Sequence, residues 1–540
     1  MRFFAAYSVS NAPFSLIADD IYPVINYRCA NMIRHRLKMM GALIGLAVSA
    51  ARGQDGGAAL THQRWFETRT AHFNIYSCGA TQEVYKLAAR LEQFHDAYGL
   101  LAGAAAVTSP PIIVMAFPDQ PAMQPFLPLY QGKPANLAGF FKQNSDENLI
   151  VLALSGTNSG SLDTIFHEYN HLLMRHNNRA WPLWLQEGMA EVYSTFEAMG
   201  HTVRIGEPIR HHLRLLAKSP LMPLKELLSV SHDSPQYNEA EHQGMFYAES
   251  WLLTHFLMNG DNPVLKERFK QFTKLLRAGQ TSEAAFTNAL RMPLAAVEAE
   301  LRRYLERGQL TAIDCTVAVD LSAPRAVATR VIGPGETCFR LGIELMRIGR
   351  MDTAESYFTQ AQKLAPASPL PYEGLGLLAA EQDKHAAAVR LLKVALQHGS
   401  VSFLAHFIYA QERFHQTGDA EGKYTRTDPA LAGEIRAELQ KSLVLMPSFG
   451  PAHEALGFFE LVQGEDFAVA EQQLQRAIQL EPENQWYLLS LAQAQMMTHD
   501  AEAARQTLAP LRLSSVETKL RARAEEILSE INRQASRRAK

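Results

Sequence analysis

At 540 residues the chain is too long for one hydrophobic core, and it is expected to fold as two globular units behind a processed N-terminus. Lys and Arg total 52 against 55 for Asp and Glu, a formal charge of −3, and no long run of one sign stands ready to hold a polyanion. This balance argues against nucleic acid as a partner.

Arg34, Arg36 and Lys38 precede the apolar run Met39 to Val48, and Val48-Ser49-Ala50 supplies small residues for cleavage near Ala50 or Ala51. Residues 1–51 therefore read as an N-terminal extension and secretory signal, which places the mature protein in the periplasm or outside the cell. The run is short for a bilayer span, so membrane association would come only through an uncleaved signal. Residues 1–31 fit no signal, and translation from Met32 would put the basic residues at the very start. Of four cysteines, Cys29 leaves with the signal, and none of Cys78, Cys315 and Cys338 has zinc-site spacing. Cys315 and Cys338 could bridge in an oxidising compartment, but the sequence does not decide whether they pair.

The first unit is placed at residues 60–310. Trp65 to Ser77 alternates in part, with Phe73, Ile75 and Cys78 suggesting a strand and its turn. A helical pattern covers 82–100, Pro110 to Phe117 is a short apolar run suited to a buried strand, and Asn148 to Leu154 is a further strand candidate. Helices dominate from Leu162 to Gly308, with a β-like interruption at Thr202 to Ile205. A small sheet followed by helices makes an α+β domain.

The helix predicted at Leu162 to Arg175 contains His167-Glu168-Tyr169-Asn170-His171. Residues four apart share a helix face, so both imidazoles can reach one ion while Glu168 sits beside it as the general base for a water that zinc acidifies. The segment Trp181 to Glu191 reads as a second helix with Pro182 in its first turn. Its Glu187 can complete a His₂Glu set for Zn²⁺, and Glu191, one turn on, can accept the second ring proton of a ligand histidine. His211 and His212 lack an acidic partner at metal spacing and read as solvated or core-edge residues.

H-E-x-x-H followed by W-L-x-E-G-x-A-E resembles the gluzincin peptidases, the group that includes thermolysin and the zinc aminopeptidases. The resemblance implies that His167, His171 and Glu187 bind zinc, that Glu168 is the general base and that Glu191 supports a ligand. Tyr247-Ala248-Glu249-Ser250-Trp251 is similar to the tyrosine helix of the aminopeptidase branch, which implies that the Tyr247 hydroxyl stabilises the oxyanion. From about Trp65 to Gly308 the chain is similar to a peptidase-MA-like bacterial family of unknown function, sharing W-F-E-T-R-T-A-H-F, A-G-F-F, H-E-Y-x-H and Y-A-E-S-W. It departs from thermolysin and the aminopeptidases in having only 15 residues between His171 and Glu187. Ala138-Gly139-Phe140-Phe141 also stands where the G-A-M-E-N amine anchor would be, so exopeptidase activity lacks that anchor.

The second unit is placed at residues 335–530. Leu341-Gly342, Ala354, Phe358 and Ala361 recur 34 residues later as Leu375-Gly376, Ala388, Leu392 and Ala395. Leu456-Gly457, Ala470 and Leu474 form another copy, and Leu491, Ala492, Ala504 and Leu508 a last one. This is tetratricopeptide spacing, and an all-α solenoid follows. Around Gln416 to Pro429 the period breaks, by degeneration or by a loop insertion.

The expectation is thus an α+β gluzincin-like zinc peptidase domain, acting as an endopeptidase, followed by a repeat solenoid that recruits a protein substrate or partner. The alternatives are a catalytically silent scaffold and a metallohydrolase of a non-peptide amide. Asn148 to Leu154 is the strand along which an extended substrate would pair, if it forms a sheet edge.

Overall fold

The computed structural model describes residues 60–538 except 103–111, 131, 136, 138, 145, 157–160, 178–180, 232–233, 239, 260–262, 323–326, 419–423, 483 and 513–517. The expected extension and signal lie outside the described residues. No helix among the described residues is long and apolar enough to cross a membrane. The chain divides into two units, one formed by 63–143 and 147–331 and the other dominated by 332–540.

The first unit is built on a six-stranded sheet of order β11-β1-β2-β3-β7-β6. The segment Trp65 to Ser77 is a hairpin of β1 (Trp65–Arg69) and β2 (Phe73–Ser77). Helix α1 (Thr81–Ala102) crosses over to β3 (Ile112–Phe117), which runs parallel to β2. After a short ladder of β4 (Leu129–Tyr130) and β5 (Lys133–Pro134), β6 (Gly139–Gln143) turns back into β7 (Asn148–Ala153). Every residue of β3 and β7 is buried, as unbroken apolar runs require when both faces of a strand are covered.

One expectation is corrected here. Strand β7 lies between β3 and β6, so it is an interior strand, and the edge belongs to β6. The segment Gly139 to Gln143 carries no clear strand signal, because Phe140-Phe141 is followed at once by Lys142 and Gln143, which leaves no alternation.

The helices follow as α2 (Ser161–Asn177), α3 (Leu183–Ser194), α4 (Arg210–Leu216), α5 (Ala240–Asn259), α6 (Pro263–Arg277), α7 (Ser282–Leu290) and α8 (Leu294–Arg307), with one-turn segments between some of them. Leu162, Ile165, Phe166, Tyr169, Leu172 and Leu173 of α2 are all buried, and Phe94 of α1 stacks on Phe166 with ring centroids 4.6 Å apart. A small sheet adds β8 (Glu197–Met199), β9 (Thr202–Ile205) and β10 (Ile313–Thr316). Because β10 pairs with β9 and β11 (Ala328–Ile332) joins the edge of the large sheet, the unit runs on to Val331, beyond residue 310. Cys78, Cys315 and Cys338 are free thiols.

The second unit consists of successive helix pairs: α9 (Pro334–Arg347) with α10 (Met351–Leu364), α11 (Leu370–Glu381) with α12 (His385–Gln397), α13 (Phe403–His415) with α14 (Pro429–Leu445), α15 (Gly450–Gln463) with α16 (Phe467–Leu480), and α17 (Trp486–Met497) with α18 (Ala501–Leu508). Helix α19 (Thr518–Arg538) packs on the last pair. The irregular stretch falls between α13 and α14. Its Tyr424 is buried and stacks on Phe414, with ring centroids 4.5 Å apart.

The recurring glycines have one physical cause. A Cβ at Gly342, Gly376 or Gly457 would come within 2.5, 2.6 or 2.7 Å of Phe358, Leu392 or Leu474, the large residue of the paired helix. A side chain there must displace a buried neighbour. We expect Gly376→Val to lower the unfolding free energy of the repeats by about 1–3 kcal/mol. Urea unfolding should show a lower midpoint, with most of the loss recovered in Gly376→Val/Leu392→Ala.

Candidate metal centre

Helix α2 turns its apolar face into the core, which leaves His167 and His171 together on the flank, both partly exposed. Pro182, extended at φ −64 and ψ 151, stands at the N-cap position of α3, one place before the first turn in which it was expected. Helix α3 packs against both α2 and α5. At Gly188 the approach to α5 is so close that a Cβ would lie 2.1 Å from Thr254 Oγ1 and 2.3 Å from the Ser250 carbonyl oxygen. Glycine is required at that position, and the contact fixes its neighbour Glu187.

The three expected ligands come together, their donor atoms all within 4.8 Å of one another. His167 Nε2 and His171 Nε2 are 3.2 Å apart, and Glu187 Oε2 lies 3.4 Å from the first and 3.2 Å from the second. Ligands about 2.0–2.1 Å from a tetrahedral ion are separated by roughly 3.3–3.4 Å, so the triangle has the dimensions of three vertices of a zinc site. Glu187 is only 4% exposed, and its Oε2 is buried without a hydrogen-bond partner. A carboxylate so placed suits a cation, and the residues fit zinc by donor chemistry as well as by spacing.

Glu191 brings Oε1 to 3.4 Å from His167 Nδ1. A carboxylate facing Nδ1 favours the proton there, which would free the Nε2 lone pair for a metal. Burial works to raise the Glu187 pKa, but the two histidines overcome it and hold the carboxyl at about 2. Burial likewise works to lower the His167 pKa, and the facing carboxylates of Glu187 and Glu191 reverse that and raise it. Glu168 is half-buried, and its charge acts on His167, Tyr237 and Tyr247. The Tyr247 ring lies 6.1 Å from that of His167, and burial together with the Glu187 charge pushes its hydroxyl pKa up.

Two residues of the site had no signal in the motifs. Tyr237, in the one-turn helix Pro235–Asn238, stacks on Tyr247 at 6.4 Å. Burial and the Glu187 charge raise its hydroxyl pKa. His212 of α4 is buried with Nε2 3.1 Å from Glu191 Oε2, so its acidic partner comes from a different helix. Spacing within one helix could not have revealed either contact. Trp184 is a core residue whose indole donates to Ser282 Oγ at 3.2 Å, and Trp181 packs partly buried against the same core.

A tetratricopeptide repeat family model matches residues 461–524. The chain is similar to several solved structures. A thermophilic TPR protein of Thermus thermophilus is 21% identical over 36% of this chain and 98% of its own, with a TM-score of 0.28. MamA from Desulfovibrio magneticus is 16% identical over 33% of this chain and 92% of its own, with a TM-score of 0.27. PilF of Pseudomonas aeruginosa is 16% identical over 38% of this chain and 90% of its own, with a TM-score of 0.29. No curated protein matches the chain. By the family-model match, the second unit carries tetratricopeptide repeat sequence at residues 461–524.

On the tyrosine helix α5, Glu249 is buried with both carboxyl oxygens facing the Met222 amide, at 3.0 and 3.1 Å. Burial, aided by Glu226 and opposed by that amide, raises its pKa from 4.5 to about 7. Between those values the unfolded chain is ionised while the folded one keeps the proton, so stability falls as pH rises through the window and levels off above it. The expected outcome is that Glu249→Gln gains stability over the native chain from about pH 5 to about pH 8, approaching an upper bound of roughly 3 kcal/mol. Urea titrations at a series of pH values check it, and a constant difference would contradict the assignment.

Proposed function

We propose that the first unit is a zinc-dependent peptidase, an endopeptidase of the gluzincin kind, and that the repeats recruit a protein substrate or partner. The observation that carries the reading is the triangle of His167 Nε2, His171 Nε2 and a Glu187 oxygen, with sides of 3.2, 3.2 and 3.4 Å. When bound, zinc would lower the pKa of a water and polarise the substrate carbonyl.

The chain's own groups do the rest. Glu168 accepts the proton of the attacking water at its carboxylate and returns it to the leaving amine nitrogen. Tyr247 donates its hydroxyl hydrogen to the carbonyl oxygen as negative charge develops there. Glu191 keeps His167 in the tautomer that presents Nε2. Strand β6, at the sheet edge and packed beside α2, offers backbone groups to an extended peptide. The family-model match supports a protein-binding role for the repeats, since stacked repeats of this kind present extended surfaces.

In this reading the full chain takes up one equivalent of zinc and cleaves an unfolded protein substrate. Glu168→Gln should retain the metal while turnover falls by about 10²–10⁴-fold. Bound zinc with no hydrolysis in either protein would instead support an interaction scaffold, and hydrolysis of non-peptide amides alone would move the assignment to that class. Failure to bind zinc would overturn the reading. For Tyr247→Phe we expect kcat to drop by about 10²–10³-fold with little change in KM, because its donor acts on charge present only in the transition state. Steady-state kinetics separate the two parameters.

A further inference from the structure

We propose that His212 is a positioning residue of this centre, acting on the ligand His167 through Glu191; the inference rests on the zinc reading above. Glu191 stands between two imidazoles, with Oε1 3.4 Å from His167 Nδ1 and Oε2 3.1 Å from His212 Nε2, the second approach lying off the ideal N–H line. His212 is 2% exposed, and its ring centroid lies 5.8 Å from that of Trp251 on α5. Both ring nitrogens are buried without a well-aligned hydrogen bond, and of the two it is Nε2 that faces a carboxylate.

These facts fix the proton. A ring nitrogen facing a carboxylate must carry hydrogen, because two lone pairs would repel, so the neutral His212 ring is the Nε2–H tautomer with a bare Nδ1. In His167 both ring nitrogens face a carboxylate at 3.4 Å, Nδ1 that of Glu191 and Nε2 that of Glu187, and with zinc held at Nε2 the proton would be the one on Nδ1. Each oxygen of Glu191 therefore faces its own imidazole nitrogen. Remove the His212 donor and one oxygen of a largely buried carboxylate loses its partner, which gives Glu191 reason to rotate away from His167. The ligand then loses the contact that sets its tautomer and raises its basicity. His212 contributes no atom to the metal, and its helix is separate in sequence from both ligand helices.

The test is zinc affinity of the full chain, measured by competition with a chromophoric chelator at fixed pH. His212→Leu should weaken binding by about 10–100-fold, and His212→Gln, whose amide can place a donor near the same point, should restore most of it. In a Glu191→Ala background, His212→Leu should cost little more, since the route runs through the missing carboxylate. Undiminished affinity in His212→Leu overturns the proposal, and so does an equal loss in the Glu191→Ala background. If His212→Leu fails to fold, His212→Gln is compared with His212→Asn, whose shorter amide cannot reach Glu191, and equal affinities overturn it. A native chain that refuses zinc removes both this inference and the peptidase reading. Normal zinc binding by the native chain with unaffected variants removes this inference alone.

Discussion

The site depends on a carboxylate held almost out of solvent beside two imidazoles. Burying Glu187 costs free energy that the helix alone cannot return, since an ionised group in a poorly polarisable interior loses its hydration. Histidine nitrogens stand 3.2 and 3.4 Å from it, and its burial is imposed by packing. With Gly188 against the Ser250 carbonyl and Thr254, α3 has no freedom to roll Glu187 out toward water. A backbone contact on one side of the helix thus decides the chemistry presented on the other.

The same device organises the second unit for a different end. There the close approaches of Gly342, Gly376 and Gly457 to a large apolar side chain repeat along the chain, and each closes one helix pair. The repeats gain stability by stacking like on like, whereas in the first unit the close contact at Gly188 positions a polar group.

Much of this was legible in the sequence where a pattern is local. The fourfold spacing of His167 and His171, the apolar face of α2, and the recurring glycines all follow from helical geometry within a few turns. Strands β3, β7 and β9 were visible as short apolar or alternating runs, and the segment Trp65 to Ser77 as one strand and its turn where the structure has the pair β1 and β2. What escaped was set by long-range pairing. Strand β6 is short and of mixed polarity, so its place outside β7 could not be read, and the edge was assigned one strand too far inward. Strands β10 and β11 have largely exposed residues and pair with segments far away in sequence, which hid the true extent of the unit. His212 and Tyr237 joined the site for the same reason. Their partners lie on other helices, and no spacing rule connects them.

The charge pattern of the cluster argues against a merely structural role. Ion pairs buried in a core are seldom the cheapest way to fill it, since apolar residues of similar volume usually serve stability as well or better. Here Glu168, Glu187 and Glu191 gather around imidazoles, and the groups that hold Glu187 low are His167 and His171 rather than a guanidinium or ammonium. Two imidazolium rings whose Nε2 atoms stand 3.2 Å apart would repel each other, so both histidines cannot supply full positive charge to the same carboxylate at once. The arrangement would be electrostatically complete with neutral imidazoles and a separate cation at their centre, as the proposed zinc site requires. Such a cation would balance Glu187 without requiring either ring to be protonated, and it would leave Glu191 to hold His167 in the one tautomer that faces it.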